Sequence, residues 1–100
     1  MAEQSSGVSS VAGIATANAS RYLQQLCKHF AHRIPANFDT AAGQIEFPSG
    51  VCHLRAGEGL LELSLTSPDP GSMTELQDVV ARHLLRFAFR EQMRIEWQPA

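Results

Sequence analysis

The stretch Gln44-Ile45-Glu46-Phe47-Pro48-Ser49-Gly50-Val51-Cys52-His53-Leu54-Arg55-Ala56-Gly57-Glu58-Gly59-Leu60-Leu61-Glu62-Leu63-Ser64-Leu65-Thr66 decides the fold. Apolar and polar residues alternate through Gln44 to Phe47, Val51 to Arg55 and Leu60 to Thr66, the period of strands with one buried and one solvated face. Pro48-Ser49-Gly50 and Ala56-Gly57-Glu58-Gly59 separate them and carry turn residues. A three-stranded antiparallel meander is expected. Pairing residues that share a face puts Phe47 opposite Cys52, Ile45 opposite Leu54, and Leu54 opposite Leu61.

Helical periods flank the meander. Before it, Tyr22, Leu23, Leu26, Cys27, Phe30 and Ile34 recur on one helical face from Arg21 onward, with Asn18 or Ser20 as cap and Pro35 as stop. After it, Ser67-Pro68-Asp69-Pro70-Gly71 breaks the chain, and Ser72 with Glu75 reads as a capping box for a second helix reaching about Glu91. Val11 to Ala17 reads as a short edge strand, weakened by Gly13 and three alanines. Arg94 to Gln98 alternates cleanly and predicts a last strand with Ile95 and Trp97 inward. The fold class is α+β: a two-layer sandwich whose antiparallel sheet of four or five strands carries two amphipathic helices on one face.

One hundred residues, 44% of them hydrophobic, suit a single domain over 11–100 behind a flexible polar tail over 1–10. A formal net charge of −2 with Lys and Arg dispersed along the chain speaks against nucleic acid as a partner. No apolar run approaches the roughly 18 residues of a membrane span, so no membrane role is expected. Two cysteines, Cys27 and Cys52, form no disulfide framework and suit a reducing cytoplasm. Gly57 and Gly59 sit in a hairpin, so no phosphate loop is present.

Several residues are candidates for chemistry. The expected register sets Glu46, His53 and Glu62 in one row on the outer sheet face, a carboxylate-imidazole-carboxylate set that could ligate a divalent metal. A flat row of that kind converges poorly on one ion, and a solvated charge ladder fits it better. On the second helix, His83 shares the stripe of Leu76, Val80 and Phe87, with Arg90 near its edge. One reading is a buried histidine bonded to a backbone carbonyl, with Arg90 paired to Glu91 or Glu96; the other is a pocket in which His83 and Arg90 receive an anionic ligand. Cys27, His29 and His32 with Cys52 resemble a metal set only superficially, because their spacing scatters them around the helix. Leu85 and Phe89 lie opposite the main stripe and imply a second buried face, packed on helix one, on the chain termini or, as the favoured reading, on a homodimer partner.

Ser20-Arg21-Tyr22-Leu23, Leu26-Cys27-Lys28-His29-Phe30 with His32, Phe47-Pro48-Ser49-Gly50, and His83-Leu84 through Arg86-Phe87-Ala88-Phe89-Arg90-Glu91 to Trp97 follow in an order that resembles the bacterial family called domain of unknown function 2218. The resemblance covers nearly the whole chain after about Val11. It implies small stand-alone proteins and domains joined to flavin-dependent siderophore-interacting reductases, without an activity assigned to the domain itself. It implies an iron-uptake neighbourhood and carries no catalytic residue onto this chain, in which no flavin or nicotinamide domain is read.

The first functional expectation is therefore a small non-catalytic binding or accessory module, with an iron chelate or a reductase as partner. A metal- or haem-binding protein is the alternative, resting on four histidines and two cysteines. A small enzyme centred on His83 comes last, because no nucleophile and base stand in a motif. No particular cofactor is specified by the sequence.

Overall fold

The computed structural model describes residues 7–100. The chain forms β1 (Val8–Ala15), α1 (Ala19–Ala31), β2 (Ala36–Phe38), β3 (Ala42–Phe47), β4 (Gly50–Gly57), β5 (Leu60–Ser67), α2 (Pro70–Phe87) and β6 (Gln98–Pro99). The strands make one antiparallel sheet in the order β2-β3-β4-β5-β1-β6. The two-layer α+β arrangement is as expected, but the sheet has six strands rather than four or five.

The additional strand is β2, three residues just after Pro35, too short to show a period in the sequence. The first strand begins at Val8, not Val11, and lies between β5 and β6 rather than at an edge. Of the polar tail expected over 1–10, residues 1–6 lie outside the described residues, whereas Val8 to Ser10 belong to the sheet. Small inward residues suit this strand to its place: Ala12 and Ile14 are buried, and Ser10 accepts a bond from Gln77 Nε2 at 2.9 Å.

The expected register is displaced by two residues. Ile45 pairs with Cys52, Phe47 with Gly50, Leu54 with Leu63 and Ala56 with Leu61. Both hairpins close over two residues, Pro48-Ser49 and Glu58-Gly59. Gly50 makes the first closure feasible: its φ is +152°, and a Cβ there would stand 2.2 Å from the Thr66 carbonyl oxygen. Because the displacement is even, every side chain keeps its expected face.

Tyr22, Leu23, Leu26 and Cys27 of α1 and Met73, Leu76, Val80 and Leu84 of α2 meet Ile45, Cys52, Leu54, Leu61, Leu63 and Leu65 of the sheet in one core. Each fully buried leucine contributes about 1.5–3 kcal/mol relative to exposure. The cap of α2 is Asp69, whose carboxylate accepts the Ser72 N–H at 2.8 Å. Pro70 supplies the first helical residue, so Ser72 receives the cap instead of forming a box with Glu75. The helix ends at Phe87 rather than Glu91. Beyond it, Ile95 and Trp97 alternate with exposed neighbours as expected and Met93 extends the pattern, yet only Gln98–Pro99 pairs with β1.

Candidate functional site

Glu91 organises one end of the helical layer. Its carboxylate accepts from Thr16 Oγ1 at 2.9 Å, from Asn18 Nδ2 at 3.0 Å, and from the Tyr22 hydroxyl. Asn18 precedes α1 at the cap position; its side chain makes no cap bond, and its Nδ2 donates to Glu91. The three donors hold the Glu91 carboxyl below the usual carboxylate range, with the Tyr22 bond the largest cause. The same bond, aided by burial, raises the Tyr22 hydroxyl. Tyr22 thus stays protonated and Glu91 ionised, a fixed pair unsuited to nucleophilic attack.

Against this anchor lies a cavity of about 400 Å³ whose rim carries Arg21, Phe87, Phe89 and Arg90. The Arg90 guanidinium sits 5.4 Å over the Phe89 ring. Among the described residues the ion pairs are Arg82–Asp78 at 2.9 Å and Arg94–Glu96 at 3.7 Å, so neither Arg21 nor Arg90 has a carboxylate partner. The expected pairing of Arg90 with Glu91 or Glu96 does not form, since Glu91 is occupied and Glu96 meets Arg94.

His83 stands apart from that cavity. It is half-buried in the seam between the helices rather than facing the sheet, and its Nδ1 donates to the Val79 carbonyl at 2.7 Å. Its ring lies 5.0 Å from His29 and 4.8 Å from Phe30, and His29 also meets Phe87 at 5.5 Å. Desolvation lowers the His29 pKa, reinforced by the charges of His83, Arg86, His32 and Arg33. His83 does not line the cavity of Arg90, which holds Arg21 instead.

The charge of α1 and of the C-terminal half of α2, beyond Glu75 and Asp78, is the feature sequence reading missed. Residues 19–35 and 79–90 contain no Asp or Glu, and together they hold Arg21, Lys28, Arg33, Arg82, Arg86 and Arg90, six of the eight Lys and Arg in the chain. Helices α1 and α2 pack side by side, so residues scattered in sequence share one layer. Leu85 and Phe89 project from it at 42% and 74% exposure. The second buried face expected for them is thus left open by the described residues. The signal was available as two acid-free windows, but only their packing makes them one surface.

The outer sheet face divides the expected metal row. Glu46 lies opposite Val51, His53 opposite Gln44 and Ser64, and Glu62 opposite Arg55. The two-residue displacement places the three candidates in three different rows. Among the described residues no group of three or more His, Cys, Asp or Glu is placed to hold a metal ion. A concavity of about 550 Å³ over Gly13, Ala42, His53, Arg55 and Glu62 has mixed charge and selects no sign of ligand. Cys27 and Cys52 are buried free thiols; burial pushes Cys27 up to about 11 and raises Cys52 further, so neither is a thiolate at neutral pH. His29 and His32 are exposed while Cys27 is not, which separates the third candidate cluster. No helix among the described residues is long and apolar enough to cross a membrane.

Comparison with known proteins places this geometry in a family. The NMR structure of PA4090 from Pseudomonas aeruginosa is 38% identical, with a TM-score of 0.78 over 93% of this chain and 97% of that one. None of the curated proteins matches. The family model described as an uncharacterized protein conserved in bacteria, DUF2218, matches residues 11–98, and the chain belongs to that family.

Proposed function

We propose that this protein is a non-catalytic binding module whose helical face receives an acidic partner protein. One observation carries the reading: two acid-free segments pack together, leaving Arg86 and Arg90 next in sequence to the exposed Leu85 and Phe89, with Arg21 lining the same cleft as Phe89 and Arg90. Exposed aromatic and aliphatic anchors flanked by arginines are the composition of interface hot spots, and the cations steer an oppositely charged surface toward them. An acidic reductase that handles iron chelates, in the cytoplasm where two unbridged thiols persist, is the partner class suggested by the family resemblance.

A photo-cross-linking residue placed at Leu85 in the source bacterium tests this. The expected result is one discrete adduct, absent when the probe stands at Ser64 on the outer sheet face and lost when Arg86→Glu and Arg90→Glu are added. Equal adducts from both faces, or an adduct indifferent to the charge reversals, would overturn it.

A second copy of the chain on the same face is the other reading, favoured by the apolar pair Leu85 and Phe89. Like charges would then oppose each other across the interface, which weighs toward an acidic partner.

A further inference from the structure

We propose that the cleft between the start of α1 and the segment after α2 binds a small aromatic monocarboxylate. Its volume, about 400 Å³, lies in the range of roughly 300–1,000 Å³ typical of small-ligand sites. Charge selects an anion. Arg21 and Arg90 reach it with no carboxylate partner of their own among the described residues. The planar fork of a guanidinium matches the two oxygens of a carboxylate.

Glu91 sets the limit on that charge. It lines the same cleft, and because Thr16, Asn18 and Tyr22 occupy its oxygens it pairs directly with neither arginine, while its charge offsets one of the two cations. Its remaining negative field opposes a multiply charged ion and favours a single carboxylate. The aromatic character follows from the walls. Phe87 is half-buried by its contact with His29, while Phe89 is 74% exposed, with the Arg90 guanidinium over one face of its ring and the other face open. A flat ring laid on Phe89 removes that surface from water and leaves its carboxylate between Arg21 and Arg90.

The cleft shares Phe89 and Arg90 with the docking face but needs no partner protein. Ligand binding is read on the isolated chain, so failure here leaves the docking face untouched, and the converse also holds. The test is a two-dimensional 15N NMR titration of the full chain with benzoate, acetate, benzamide and inorganic phosphate.

Benzoate is expected to give saturable shifts confined to the region of Arg21, Tyr22 and Phe89 to Glu91, with a Kd on the order of 1 mM. Acetate, lacking the ring, and benzamide, lacking the charge, should each bind at least about tenfold more weakly, as should phosphate. Arg21→Gln and Arg90→Gln should each weaken benzoate about tenfold with an unchanged urea midpoint. Benzoate no tighter than acetate, benzamide or phosphate, shifts spread outside the cleft, or affinity indifferent to both substitutions would overturn the proposal.

Discussion

The Tyr22 hydroxyl donates to the Glu91 carboxylate across 69 residues of sequence, and this bond fastens the chain beyond α2 to the first turn of α1. Thr16 and Asn18 bind the same carboxylate, so the β1–α1 connection, α1 and the C-terminal segment meet at one acidic side chain. The anchor draws Glu91 away from the helical path and positions Phe89 and Arg90 at the cleft.

Tyr22→Phe keeps the buried ring and removes one donor to a charged acceptor, and should cost about 1–2 kcal/mol of stability. Glu91→Ala strands three donors and should cost more. Urea unfolding of the two variants and their combination checks this: coupling in the double-mutant cycle is expected, and strict additivity would deny the contact. Glu91 also sets an acid limb. Its folded pKa lies below the unfolded value of about 4.3. Its contribution is therefore fully present above that pH and is lost as pH falls toward the folded value. Glu91→Gln should flatten the urea midpoint against pH in that window.

His29 predicts a second pH dependence of the same sign. Its folded pKa is lowered by desolvation and by His83, Arg86, His32 and Arg33, with no carboxylate acting on it. Below the unfolded value of about 6.5 the unfolded chain binds more protons than the native one, so stability falls as pH drops from there toward the folded pKa. Urea midpoints between neutrality and mild acid should decline in the parent and decline less in His29→Gln. An NMR titration of the His29 ring should give a value below that of a free histidine.

Two glycines should respond oppositely to alanine. Gly50→Ala would set a Cβ 2.2 Å from the Thr66 carbonyl oxygen at a positive φ, and a loss of more than about 2 kcal/mol is expected. Gly13→Ala meets only Leu60 Cδ1, at 3.6 Å, and a gain of about 0.5–1 kcal/mol is expected from lost freedom of the unfolded chain. Thermal unfolding of both variants distinguishes them; equal effects would show that the turn tolerates a side chain.

Leu85→Asp removes an exposed leucine and should leave stability nearly unchanged, since the side chain is 42% exposed. Sedimentation equilibrium of the parent and the variant separates the two docking readings. A parent monomer agrees with an acidic partner. A parent dimer that dissociates in the variant would instead assign the face to a second copy.

Much of the fold was legible because strand and helix periods differ. Cys52, Leu54, Leu61, Leu63 and Leu65 all face the core as their alternation requires, and Tyr22, Leu23, Leu26 and Cys27 do so by helical spacing. The register of the first hairpin was not legible, since closing over two residues or four preserves every face; Gly50 decides it through its positive φ and its approach to Thr66. The end of α2 was misplaced for a related reason, because the partners that detain Glu91 are Thr16, Asn18 and Tyr22, far away in sequence.

The candidate site divides in the same way. Leu85, Phe89 and Arg90 stood out in the sequence as residues at odds with a simple amphipathic helix, and they are exposed on the helical layer. Arg21 did not stand out, since its nearness to Arg90 exists only after α1 and the segment following α2 are joined at Glu91. Local period and turn chemistry determined the elements and their buried faces, since those depend on residues a few positions apart. Tertiary structure alone decided which charges share a surface and which row a strand side chain occupies, because pair distances depend on register and on long-range contacts that local patterning leaves open.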